Sequence, residues 1–242
     1  MDVTLIAIAG IIIFLAHLIK GFSGFGSALV ALPLMVFFFD IKFAIPVFLV
    51  TDITASTIMC LKERGHVNRE VLWVIVPGLL MGSALGGMFI STTSSETLLK
   101  LFGMVVMTMA LHIFITRNKR SRIKRKKLWG LVTGWVAGLC QVSFGIGGPP
   151  AVYYTAQTSR NKTQLRATLY SIFYAASIFQ FITYALIGIM TTSVVLFSVQ
   201  LIPFMLLGLL VGNRFFFRVD EERFRTAITA IILLMGLFIV LR

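Results

Sequence analysis

Charge is scarce in this 242-residue chain: Asp, Glu, Lys and Arg make up 13% of it, and the acids number nine against 22 Lys and Arg. Hydrophobic residues make up 58%. No soluble core of this size hides that much apolar surface, so a conventional soluble domain is excluded and lipid is the main solvent. Cysteine is nearly missing; Cys60 and Cys140 have no metal-ligand spacing and read as small buried hydrophobes. Nothing in the composition suggests a metal or an organic cofactor. The first 20 residues lack a basic leading region and a small-residue cleavage site, so a retained first helix is expected rather than a signal peptide.

The formal net charge of +13 would suggest a nucleic-acid partner in a soluble protein. Here the basic residues fall in short loops between apolar segments, the pattern of cytoplasmic loops in a membrane protein, and no nucleic acid is expected. Because a spanning helix needs roughly 20 apolar residues, almost the whole chain is membrane domain. The expectation is an all-α integral membrane protein with about ten spans, at 3–19, 22–39, 43–61, 71–92, 97–116, 128–144, 147–158, 166–187, 193–217 and 223–241. With the basic stretches Leu61 to Glu70, Arg117 to Lys127, Ser159 to Arg166 and Arg214 to Arg225 all placed inside, both termini fall outside.

The Arg117 to Lys127 cluster is also a natural midpoint. Pro77, Gly82, Gly86, Phe89 and Glu96 recur as Pro203, Gly208, Gly212, Phe215 and Glu222, always 126 positions later. This predicts a five-helix repeat over 1–116, a basic cytoplasmic linker over 117–127 and a second five-helix repeat over 128–242. An odd number of spans per repeat inverts the second half, and the uncharged Gly188 to Ser193 then replaces the basic Lys62 to Arg69 loop on the opposite side. Inverted repeats are a hallmark of secondary transporters.

Each half is interrupted near its second span, first by "GFSGFG" (Gly21 to Gly26) and then by "SFGIGGPP" (Ser143 to Pro150). Such matching Gly/Pro interruptions point to a midplane binding site. Backbone is left unpaired at membrane depth only where it lines a cavity or meets a ligand. At a helix N-terminus the unpaired groups are N–H donors in a positive field, suited to a small anion. Ser23, Ser27, Gln141 and Ser143 are the candidate side-chain donors. The evenly spaced Gly82/Gly86, Gly208/Gly212 and Gly130/Gly134/Gly138 sets are read instead as close helix packing. Gly147→Leu is accordingly expected to spare insertion and Gly208→Leu to harm folding.

Ionisable residues inside spans are rare and expensive. Asp52, midway along the third span, is the candidate for proton coupling, with a buried, hydrogen-bonded structural acid as the alternative. His17 and His112 lie toward the cytoplasmic ends of their spans, where interfacial water accounts for them. Arg166 reads as a snorkelling interfacial arginine.

"GFSGFGSALVALPLM" (Gly21 to Met35), "GLCQVSFGIGGPPAVYY" (Gly138 to Tyr154), "RGHVNRE" and "LRATLYSIFY" (Leu165 to Tyr174) resemble the sulfite exporter TauE/SafE family of bacterial membrane transporters. The resemblance implies a multi-pass permease of the bacterial inner membrane. It would export sulfite, a sulfonate or a related organosulfur anion; proton coupling rests instead on Asp52, and a homo-oligomer is a further expectation. It carries Gly24, Gly26, Gly145, Gly147, Gly148 and Pro149 over as motif positions at the substrate site. Phe22 and Phe25 interleave with glycines where many relatives have consecutive glycines, which implies a narrower pocket or an anion with an apolar part.

Two rival functions are weighed against a carrier. An anion channel also uses helix ends. "GFSG" (Gly21 to Gly24) has the form of the rhomboid-type intramembrane serine protease motif, but that chemistry needs a histidine base. No histidine follows His112, and a protease leaves the repeat unexplained.

Overall fold

A computed structural model describes residues 3–115 and 126–215. The basic linker up to residue 125, the tenth predicted span at 223–241, Glu222 and the side chain of His112 lie outside the described set. The described residues form α-helices throughout, with one short 3-10 turn and no strand. They are α1 (Val3–Ser23), α2 (Ser27–Met35), α3 (Ile41–Glu63), α4 (Arg69–Thr92), α5 (Ser95–Ile115), α6 (Lys126–Phe144), α7 (Gly148–Thr158), α8 (Lys162–Leu186) and α9 (Thr192–Phe215).

Several helices begin where the sequence offers a cap. The Asp40 carboxylate accepts from the Lys42 N–H at 2.8 Å ahead of α3, and the Asn161 side chain accepts from the Gln164 N–H at 2.8 Å ahead of α8. Each satisfies a donor that the first helical turn leaves open. Among the described residues, five helices are long and apolar enough to cross a membrane: Val3–Ser23, Ile41–His66, Arg69–Thr92, Lys162–Leu186 and Thr192–Arg214. At 1.5 Å per residue they reach roughly 30 Å or more, whereas α2 and α7 reach only about 13 and 16 Å, half a bilayer core.

The predicted second span, 22–39, is therefore not one helix. α1 runs on through Gly21 to Ser23, the chain breaks at Gly24 to Gly26, and only Ser27–Met35 forms α2. Gly24 and Gly145 each end a helix in the left-handed conformation, at φ 85° and 72°. The Gly24 N–H donates to the Lys20 carbonyl and the Gly145 N–H to the Gln141 carbonyl, both at 2.8 Å. Positive φ at each glycine turns the chain out of its helix just after this last bond, a conformation that a side chain would strain.

The helices pair through the small residues read as packing positions. α4 lies along α6 and α1 along α9, while α3 packs on α8 at the centre. α2 folds back on α1 and α7 on α6; α9 also crosses α3, and α4 crosses α8. A Cβ at Gly82 would fall on the Trp135 carbonyl oxygen, one at Gly134 on the Ile75 carbonyl and one at Gly138 on the Leu79 carbonyl. At the other pair, Gly208 and Gly212 face the Phe14 and Leu18 carbonyls in the same way. Such backbone contact maximises dispersion between helices, the attraction that lipid does not compete away. The apolar core holds Leu32, Ile45, Phe48, Phe197 and Leu201 between α2, α3 and α9.

Candidate functional site

The two broken helices bring Gly26, Gly145, Gly147 and Gly148 to one small cavity. Gly26 and Ser27 line it from the first break, and Gly145, Gly147 and Gly148 from the second. Lys20 on α1, Asp52 on α3 and Gln141 on α6 complete its polar wall; Phe25, Phe48 and Phe173 supply aromatic surface. Its free volume is about 20 Å³, room for roughly one water molecule. A sulfite-sized anion does not fit without movement of the walls.

The polar wall is a buried charge cluster. Lys20 and Asp52 are 1% and 5% exposed, and Lys20 Nζ donates to Asp52 Oδ1 at 2.6 Å and to Ser56 Oγ at 2.7 Å. Ser27, the first residue of α2, donates its hydroxyl to Asp52 Oδ1 at 3.0 Å, and Ser177 Oγ reaches Oδ2 at 3.4 Å. Tyr170 donates to the Lys20 carbonyl at 3.0 Å. The Lys20 ammonium also sits 5.9 Å from the centroid of the Phe173 ring. Opposite, the wall is neutral: Gln141 Nε2 donates to Gln180 Oε1 at 2.8 Å, while Gln141 Oε1 accepts from the Gly147 N–H at 2.9 Å. Gln180 in turn donates to Tyr184, whose hydroxyl donates to the Val142 carbonyl at 2.6 Å.

Lys20 and Gln141 hold equivalent places, each four residues before the glycine that ends its helix. One break thus carries a charged donor and the other an amide. Lys20 is not among the expected site residues, because a first span that ends at residue 19 leaves the lysine in a loop. A signal was available: His17 and Lys20 share one face of α1 with Ile13, which only a longer first helix reveals.

The other expected donors stand outside the cavity wall. Ser23 donates its hydroxyl to the Ile19 carbonyl at 2.9 Å and the Phe25 carbonyl at 2.6 Å, tying off the end of α1. A serine committed to backbone carbonyls is no poised nucleophile. Gly24 gives room to Arg166, since a Cβ there would meet the Arg166 Cγ at 2.7 Å. Ser143 is buried with its hydroxyl unpartnered among the described residues, and it faces Gly86 of α4. Pro149 sits buried in the first turn of α7, where its lost N–H costs nothing.

Three sequence expectations need correction. Arg166 does not snorkel: it is 8% exposed, forms a buried ion pair with Glu63 and donates to Asn213 Oδ1 at 3.3 Å. It thereby ties α8 to the ends of α3 and α9, one turn from Tyr170. His17 is not an interfacial residue but fully buried, with Nδ1 2.9 Å from the Ile13 carbonyl and its ring beside Phe48. Gly147 is closely packed too, because a Cβ there would meet the Ala137 carbonyl oxygen at 2.7 Å. Gly147→Leu is therefore expected to harm folding rather than to spare it, and Gly148, with only Phe173 Cζ at 3.8 Å, is the glycine with space beside it.

A buried ion pair contributes little net stability, because desolvating two charges offsets most of their attraction. Ionisable side chains are kept at membrane depth where they handle ions or substrates. Comparison with curated proteins and with solved structures returns no match. One family model, sulfite exporter TauE/SafE, matches residues 9–239. That range includes both helix breaks and all of the cavity wall, and the chain is a member of the sulfite exporter TauE/SafE family of membrane transporters.

Proposed function

We propose that this protein is a proton-coupled carrier that exports a small sulfur oxyanion, sulfite or a sulfonate, through the cavity between its two broken helices. The observation that carries this reading is the meeting of both glycine breaks with the buried Lys20 at one small cavity. There the α2 N-terminus, the Lys20 ammonium and the Gln141 amide supply donors of the kind an oxyanion needs. The site comprises Gly26, Ser27, Gln141, Gly145, Gly147 and Gly148 around the ligand, with Ser23, Gly24, Ser143 and Pro149 shaping the helix ends. Asp52 is the coupling carboxylate. Phe25, Phe48 and Phe173 favour an anion with an apolar part, which leans the substrate toward sulfonates. A cavity with room for about one water molecule supports a carrier over a channel, because a conducting pore needs a continuous wide path.

The architecture belonging to this reading is ten spans in two inverted five-helix repeats, 1–116 and 128–242, joined by a cytoplasmic linker, in the bacterial inner membrane with both termini outside. The helix pairing supports it. Exchanging α1 with α6, α2 with α7, α3 with α8 and α4 with α9 turns each major packing pair into another observed pair. Because α1 pairs with α9 and α4 with α6, the halves are interlocked, and alternating access requires sliding at these glycine-lined seams.

Two measurements test this. In proteoliposomes, uptake of labelled sulfite or methanesulfonate is expected to saturate and to be driven uphill by an imposed pH gradient; passive, non-saturating flux would favour a channel. In a version lacking Cys60 and Cys140, single cysteines placed in Lys62 to Arg69 and in Gly188 to Ser193 are expected to react with impermeant reagents from opposite sides. Labelling of both from one side would overturn the inverted repeat.

A further inference from the structure

We infer that Lys20 is the counter-ion of the transported anion and that Asp52 is its internal substitute, so that one monoanion enters the site together with one proton. This rests on the carrier reading above and adds its charge rule. Among the described residues lining the cavity, Lys20 is the one cation and Asp52 the one acid. The two occupy each other fully, at 2.6 Å, with neither open to water. An incoming anion therefore competes with the Asp52 carboxylate for the same ammonium.

The charge count follows from burial. In the closed state one positive and one negative charge cancel. An added monoanion leaves an excess negative charge in a medium where an uncompensated ion costs several kcal/mol. Protonation of a carboxylate oxygen of Asp52 removes that excess: the ammonium exchanges Asp52 for the anion, and the site is neutral again. No covalent bond to the substrate forms or breaks. Loss of the proton on the far side restores the carboxylate, which reclaims Lys20 and expels the anion, so anion and proton cross together without net charge and export runs on the outward gradient of the anion itself. A dianion remains undercompensated in either state, so the site discriminates against it by an unpaired charge.

The surroundings are built for this exchange. Ser27, Ser56 and Ser177 surround the carboxylate with hydroxyls that donate to it when ionised and accept from it when protonated. Ser27 is also the first residue of α2, so release of Asp52 frees the start of that half-helix toward the ligand. Facing the pair, α1 contributes His17, α8 contributes Tyr170 and Ser177, and α2 contributes Ser27; the charged residue of α9, Arg214, is exposed. His17 is the one competing proton acceptor, with its Nε2 unpartnered among the described residues.

The test uses the purified full chain in nanodiscs and methanesulfonate, whose charge is constant over the neutral range, with binding followed by calorimetry in two buffers of different ionisation enthalpy. The wild-type protein is expected to take up about one proton per anion bound. Sulfate, a dianion of similar headgroup, is expected to bind about a hundredfold more weakly or worse. Asp52→Asn, which leaves Lys20 its Ser56 acceptor, is expected to bind methanesulfonate about tenfold more tightly with no proton uptake and no pH dependence. Lys20→Gln/Asp52→Asn is expected to bind about a hundredfold more weakly than Asp52→Asn.

Wild-type binding without proton uptake, or sulfate bound as well as methanesulfonate, overturns the inference on the unmutated protein alone. Proton uptake that persists in Asp52→Asn assigns the proton to His17 and overturns the role of Asp52. Failure of the wild type to bind methanesulfonate, sulfite and sulfate overturns the carrier reading itself along with it.

Discussion

Lys20→Ala is expected to destabilise the folded protein by about 3–5 kcal/mol, the cost of leaving one member of a buried ion pair without its partner. The geometry places it toward the upper part of that range. Asp52 is 5% exposed and lies midway along a central helix, where water does not readily replace the ammonium. The three hydroxyls of Ser27, Ser56 and Ser177 remain, but they donate dipoles where a full charge stood 2.6 Å away. Lys20→Ala/Asp52→Ala is expected to be more stable than Lys20→Ala, because it removes the stranded charge. Unfolding followed in detergent for the wild type, both single variants and the double variant gives the coupling directly. Additive effects would show that Lys20 and Asp52 are not an energetic pair.

The second large effect belongs to the helix seams. Gly82→Leu and Gly208→Leu are each expected to cost about 3 kcal/mol or more, at or beyond the top of the usual range for overpacking. The obstacle at each is a carbonyl oxygen of the facing helix, Trp135 in one case and Phe14 in the other. Side chains swing aside; a helical carbonyl moves only with its helix. Both variants should therefore fail in assembly, seen as loss of a monodisperse peak and rapid heat aggregation. Gly148→Ala is the matched control. Its new methyl meets nothing nearer than Phe173 Cζ at 3.8 Å, so the fold is retained while the added methyl narrows a cavity of about 20 Å³, and transport falls. Normal folding of Gly82→Leu with lost transport would instead make that seam part of the moving path.

The corrected residues share a physical cause. Arg166 and His17 lie near the ends of their own helices, where position along the helix alone predicts water, and Lys20 lies just beyond the predicted end of its span. Their burial is set by what crosses over those ends: α9 and its Asn213 beside Arg166, Phe48 beside His17, and α3 and Phe173 around Lys20. The same holds for Gly147, whose backbone neighbour at Ala137 comes from the chain folding back on α6. The packing glycines were legible because their four-residue spacing puts them on one helix face, and a face of small residues has few uses other than close approach.

Composition and local pattern alone determined that this chain is helical and lipid-solvated, and that it is interrupted within Gly21 to Gly26 and within Ser143 to Pro150. Those properties depend on residues close in sequence, through hydrophobic run length and the restricted backbone of glycine and proline. Only the tertiary structure decided that the two breaks face a single cavity and that Lys20 closes on Asp52, 32 residues away. An ion pair between two helices depends on their rotation and depth, which are fixed for α1 by its seam with α9 at Gly208 and for α3 by its packing on α8 and α9, rather than by the charged residues themselves.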